Sequence, residues 1–152
     1  MSIFDALKES HERQRALSEQ LLAAPTPEQK LSVYEALRME LHAHAAAEER
    51  NFYMPLMERD SGLDLSRHAI HEHHLMDEMM EDLDDMIKKD KIGVDEWDEV
   101  AGNLSHRVNH HVDEEENKFF PKAREILDDS EIKNLAKGYN EDFAEYQNNN
   151  VA

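Results

Sequence analysis

Apolar residues recur every three or four positions along most of this 152-residue chain, the spacing of one helix face. No convincing strand interrupts the pattern, and its breaks divide the chain into five helical segments. The first runs from about Ser2 to Leu22 and stops at Ala23-Ala24-Pro25. Thr26 is a good N-cap with Pro27 behind it, so the second starts there and reaches about Glu58, with Pro55 bending its last turn. Asp60-Ser61-Gly62 reads as a turn, and Asp64 or Ser66 then caps a third helix, about Leu65 to Lys89. After Asp90-Lys91-Ile92-Gly93, Asp95 caps a fourth that reaches about Leu127, with a second bend at Pro121. Ile132, Leu135, Tyr139, Phe143 and Tyr146 mark a shorter fifth helix, about Ser130 to Tyr146, followed by a frayed polar tail from Gln147 to Ala152. Short connections make neighbouring helices antiparallel. The expected fold is all-α: an up-down-up-down four-helix bundle over residues 1–128, with a short C-terminal helix and tail, 129–152, packed on it.

The pattern also repeats. Helix two carries Val33, Leu37, Leu41, His44, Glu48 and Phe52 on its apolar face, and helix four carries Val100, Leu104, Val108, His111, Glu115 and Phe119. Every pair is 67 residues apart. Both stripes place a His and a Glu, four residues apart, where the period demands core residues. Helices one and three agree more loosely, with Leu7 and His11 matching Ala69 and His73 at an offset of 62. The chain reads as two helix pairs, each giving one His from its first helix and a His-x-x-x-Glu from its second.

Composition sharpens this. There are 17 Lys and Arg against 35 Asp and Glu, a formal net charge of −18, which disfavours nucleic acid and anionic membrane surfaces as partners. There is no cysteine, so thiolate metal sites and cysteine nucleophiles are excluded. The N-terminal residues do not read as a secretory signal and no run is long enough to span a bilayer, so the cytoplasm is the expected location. A charged Glu in a bundle core is costly, and two in one core repel. A pair of cations resolves that conflict. The predicted ligands are His11, His44, Glu48, His73, His111 and Glu115, with each carboxylate able to bridge both ions and each ion taking two imidazoles. Iron, manganese, zinc and nickel all suit such a set. The remaining histidines, His42, His68, His71, His74, His106 and His110, fall off the apolar faces and read as surface or boundary residues. Met76, Met79, Met80 and Met86 read as core filling. The acidic runs 81–85 and 113–116 read as solvated faces, Glu115 excepted.

The motifs Leu7-Lys8-Glu9-Ser10-His11, His44-Ala45-Ala46-Ala47-Glu48-Glu49 running to Pro55, Glu72-His73-His74, and His110-His111-Val112-Asp113-Glu114-Glu115-Glu116 running to Pro121 resemble the hemerythrin family, in its bacterial HHE cation-binding branch. The resemblance covers about residues 2 to 127. It implies two iron ions per chain, joined by two carboxylates and an oxo or hydroxo group, with the six residues above as ligands. Oxygen-carrying hemerythrins have a His-x-x-x-His on the third helix. Here the residue four after His73 is Asp77, which leaves either an open position or an oxygen ligand such as Asp77. The implied role is to bind, sense or reduce a small oxidant such as dioxygen, peroxide or nitric oxide. The alternatives are a non-catalytic iron- or zinc-binding module that senses metal, and, ranked last, a metal-free histidine-rich interaction bundle responding to pH.

Overall fold

The computed structural model describes the backbone of residues 1–151 and the side chains of residues 1–149. Among them all regular structure is helical. The elements are α1 (Ile3–Ala23), α2 (Pro27–Glu48), α3 (Met54–Met57), α4 (Asp60–Lys88), α5 (Asp95–Glu114), α6 (Phe120–Ile126) and α7 (Asp129–Val151). A π-helical turn at Glu49–Tyr53 joins α2 to α3, and another at Glu115–Phe119 joins α5 to α6. Each widened turn closes just ahead of a proline, Pro55 or Pro121, which has no N–H to give the helix ladder.

Side-chain caps set the starts of three helices. Ser2 and Asp5 form a reciprocal capping box on α1, at 3.0 and 3.3 Å. Thr26 accepts the Gln29 N–H at 3.2 Å, as its position predicts. Asp128 and Glu131 make a second reciprocal box at the start of α7, at 2.8 and 3.2 Å.

The structure corrects three boundaries. α4 begins at Asp60, behind an extended Arg59, and neither Asp64 nor Ser66 caps it. Ser66 is buried inside the helix and donates to the Gly62 carbonyl at 2.7 Å. Gly62 is helical rather than a turn residue: a Cβ there would lie 2.6 Å from the Leu56 carbonyl oxygen, so glycine permits close approach of α3 to α4. Asp95 is the first residue of α5, with extended Val94 in the cap position and no side-chain cap. Asp95, Glu96 and Asp98 still favour that end through the helix dipole. The expected short fifth helix and frayed tail form one helix of 23 residues, Asp129–Val151, and Ala152 lies outside the described residues.

Two apolar clusters fill the interior. One gathers Leu7, Phe52, Leu56, Phe119, Phe120 and Leu127 with Ala136 and Tyr139 of α7. The other gathers Leu21, Tyr34, Leu37, Met80, Leu83, Trp97, Leu104 and Val108. Met76, Met80 and Met86 are core filling, as expected, and Met79 packs at the edge. Cross-helix contacts step in opposite senses along α2 and α4: Tyr34 to Asp84 at 2.7 Å, His42 to Asp77 at 3.7 Å, Glu49 to His73 at 3.2 Å. The chain passes from one cluster to the other through a polar position along α1, Leu7 to His11 to Leu21, and along α2 and the turn after it, Leu41 to His44 to Phe52. Ala69 to His73 to Met76, and Val108 to His111 to Phe119, do the same. The candidate ligands therefore occupy one layer between two apolar ones. No described helix is long and apolar enough to cross a membrane.

Gly62→Ala is expected to destabilise the protein by about 1–3 kcal/mol, because backbone must move. Gly102→Ala, on α5 with nothing within 4 Å of the added methyl, is expected to stabilise it by about 0.5–1 kcal/mol. Chemical denaturation of both variants checks the opposite signs.

Candidate metal centre

His11 from α1, His44 and Glu48 from α2, His73 from α4, His111 from α5 and Glu115 at the second π-helical turn are each no more than 5 % exposed. Ligand-capable atoms of His11, His44, Glu48 and Glu115 lie within 4.8 Å of one another, and so do those of Glu48, His73 and His111. His44 Nε2 is 3.1 Å and His73 Nε2 3.2 Å from Glu48 Oε1. His11 Nε2 is 3.2 Å from Glu115 Oε1, and His111 Nε2 is 3.6 Å from Glu115 Oε2.

The outward ring nitrogens are tied down by oxygen. His11 Nδ1 pairs with Glu116 Oε2 at 2.6 Å, His73 Nδ1 with Glu49 Oε1 at 3.2 Å, and His44 Nδ1 with the Tyr139 hydroxyl at 2.7 Å. Ser10 Oγ holds that hydroxyl in turn at 2.5 Å, and Arg13 donates to Ser10 at 2.9 Å. Such partners fix a ring's orientation and leave Nε2 free to ligate. Among the buried side-chain atoms with no hydrogen-bond partner are His11 Nε2, His44 Nε2, His111 Nε2, Glu48 Oε2 and Glu115 Oε1. Native proteins leave only a few such atoms unmatched per hundred residues, and seldom several in one place. Five converging in one layer, all imidazole nitrogens or carboxylate oxygens, form a donor set that suits a metal cation.

A family model described as the hemerythrin HHE cation binding domain matches residues 2–123. The chain belongs to that family. Comparison with curated proteins and with solved structures finds no match.

The electrostatics of this hemerythrin HHE domain show what metal-free packing must tolerate. Burial lowers the His11 and His73 pKa values, but adjacent carboxylates hold their protons more strongly. The net effect is about 9 for His11, beside Glu115 and Glu116, and about 10 for His73, beside Glu48 and Glu49. Burial pushes His44 down, and it pushes His111 well down with help from the His73 charge. Burial and the Glu48 charge together push Glu115 up to about 8. Glu48, though burial opposes it, is held low by His44 and by hydrogen bonds from Glu115 and His73. Without a cation, one carboxylate of the pair is ionised and the other keeps a proton.

The remaining histidines stand where their faces placed them. His74 is exposed on Glu78 at 3.0 Å, His110 on Glu114 at 3.1 Å and His68 on Glu114 at 3.0 Å. His71 and His106 are exposed, and His42 is half-buried. Asp77 is about half exposed beside His42 and belongs to neither ligand group.

Several residues escaped the sequence reading. Tyr53 donates to Glu48 Oε1 at 2.6 Å and also reaches Glu115 Oε2. At the 67-residue offset its counterpart is Phe120, so it is the position where the repeat gains a hydroxyl. Glu116 belongs to an acidic run read as solvated, yet it grips His11 and Arg15. Glu49 is its partner at the same offset and serves His73, so the second acid of each His-x-x-x-Glu-Glu was a legible signal. Tyr139 had none, because α7 lies outside both the repeat and the matched segment.

Two outcomes follow for metal binding. Tyr139→Phe should weaken metal affinity about 10- to 100-fold in chelator competition and cost the metal-free chain about 1–3 kcal/mol, since His44 Nδ1 is left buried without its partner. Equal affinity would show that α7 does not orient His44. At pH 7, His11, His73 and Glu115 are below their pKa values and hold protons that ligation must displace. Metal binding should therefore release protons and weaken as pH falls. Calorimetry in buffers of different ionisation enthalpy detects the release.

Proposed function

We propose that this domain holds two iron ions and uses them to bind, sense or reduce a small oxidant such as dioxygen, peroxide or nitric oxide. In this reading His11, His44, His73 and His111 would hold the ions as terminal ligands, and Glu48 and Glu115 would supply the carboxylates that offset their charge. The convergence of five unpartnered buried donor atoms in one layer carries the proposal. Zinc or manganese would fit the same ligands. The reading includes an up-down-up-down bundle over residues 1–128, which the opposed stepping of α2 against α4 supports, with a C-terminal helix and tail, 129–152, packed on it.

When bound, the ions supply redox and Lewis-acid chemistry. The chain supplies the rest. Glu116, Glu49 and Tyr139 orient three of the imidazoles. Tyr53 keeps a phenolic proton within reach of both carboxylates, since burial and then the neighbouring Glu115 and Glu48 push its pKa well up. Phe52, Phe119 and Phe120 close one side against water. Two cavities touch the site. One of about 20 Å³ is lined by His68, His111, Glu114 and Glu115 among others, and one of about 10 Å³ by His44, His73 and His111 among others. Spaces of that size take a water or a very small ligand and exclude organic substrates.

Glu48→Ala and Glu115→Ala are expected to lose bound metal, whereas His74→Ala keeps the wild-type content by elemental analysis. Equal content in all three would overturn the ligand assignment. A non-catalytic iron- or zinc-sensing module is the second reading, favoured by the Tyr139–His44 bond that ties α7 to the site. Turnover of peroxide by the iron-loaded chain supports the first. Metal-dependent protection of α7 from hydrogen exchange, without turnover, supports the second.

A further inference from the structure

Arg15 and Asp77 stand at matching places in the repeat. Each comes four residues after the candidate ligand of its helix, His11 or His73, at the 62-residue offset. Four residues is about one helical turn, so each side chain lies on the same face as the imidazole before it. One copy carries a cation there and the other an acid.

Both charges have something to act on. Arg15 grips Glu116 with two nitrogens, 3.1 Å to each carboxylate oxygen, and Glu116 Oε2 in turn holds His11 Nδ1 at 2.6 Å. Arg15 also reaches Glu12 at 2.7 Å and Asp113 at 2.8 Å, but those side chains are 74 % and 62 % exposed, against 20 % for Glu116. Water screens the two outer pairs, so the guanidinium acts most strongly on Glu116. At the other end Glu49 does for His73 what Glu116 does for His11, at 3.2 Å. Among the described residues no Lys or Arg pairs with Glu49. Asp77 lines a small cavity together with His73, so its charge adds to that of Glu49. Its ion-pair neighbour is His42 at 3.7 Å, which burial pushes toward the neutral form.

We propose that Arg15 sets the order in which the two metal positions fill. It shares the Glu116 charge and so leaves the position that includes His11 the weaker for a cation. The position that includes His73, backed by Glu49 and Asp77, fills first. His11 and His73 belong to different ligand groups, so one side chain can bias one position over the other. The inference rests on the metal-centre reading above. A carboxylate behind an imidazole raises its donor strength, and a cation on that carboxylate takes back part of the gain. Arg15 is a positioning residue that acts through Glu116 and His11 without touching the ion.

Zinc(II) tests this without a change of oxidation state. The metal-free full chain is titrated with zinc against a competing chelator, and the histidine ring signals are followed by NMR. The wild type should bind in two steps, with His73 responding in the first and His11 in the second. Arg15→Gln should tighten the second step about tenfold, the order expected for removing one partly screened charge near the ion, and leave the first unchanged. Arg15→Lys keeps the charge without the two-pronged grip and should stay close to wild type. Asp77→Asn, at a half-exposed position, should weaken the first step by a similar factor, which keeps the test decisive if Arg15→Gln does not fold. The sign separates charge from support. Were Arg15 only a prop for Glu116, its loss would weaken the second step. That result, an unchanged affinity, or a Lys variant that behaves like Gln overturns the inference. So does His11 responding first or together with His73. A wild type that binds no zinc at these histidines overturns the metal-centre reading and this inference with it. Two ions bound without regard to Arg15 or Asp77 overturn this inference alone.

Discussion

Glu48 and Glu115 meet within hydrogen-bond reach of one phenol, Tyr53, in a layer shut off from water on both sides by apolar side chains. Two ionised carboxylates cannot share such a place without compensation. The imidazoles of His11, His44, His73 and His111 surround them, but neutral imidazoles do not cancel two negative charges. The metal-free chain copes by keeping Glu115 protonated and His11 and His73 charged. A cation pair relieves the same conflict while also giving the unpartnered donor atoms their bonds. Metal binding and stability are then coupled, because the folded chain presents the site and the unfolded chain does not.

The site is built nearly twice over from one plan. His-x-x-x-Glu-Glu occurs on α2 and again at the end of α5, at the same offset as the apolar stripe around it. In each copy the first Glu faces the centre, and the second reaches the one candidate ligand of a neighbouring helix, Glu49 to His73 and Glu116 to His11. The departures from symmetry are local. Tyr53 stands where the second copy has Phe120, and α7 gives Tyr139 to His44. The π-helical turn begins one residue after Glu48 but at Glu115 itself. Gln14 adds an unpaired donor on one side of the centre. These features make the two halves chemically unequal.

The helical segments and the six central residues were legible because both depend on period. A polar side chain at a position reserved for the core stands out, and two sets in matching register stand out further. The helix starts were less legible. Gly62 looks like turn punctuation, yet it is glycine because the Leu56 carbonyl passes too close for a side chain. Ser66 looks like a cap but bonds back to the helix it sits in. The widened turns could not be read from Pro55 and Pro121 alone, since a proline can equally bend or end a helix. Tyr139 owes its contact with His44 to which helices lie side by side, and a one-dimensional pattern does not carry that.

The central claim is that buried charge in this layer exists to hold metal. Metal content per chain, measured on aerobically purified protein together with its absorption spectrum, tests it most directly. The account predicts two iron ions per chain and near-ultraviolet bands that change on adding peroxide or dithionite. A folded protein that arrives without metal and refuses iron, zinc and manganese alike would contradict it.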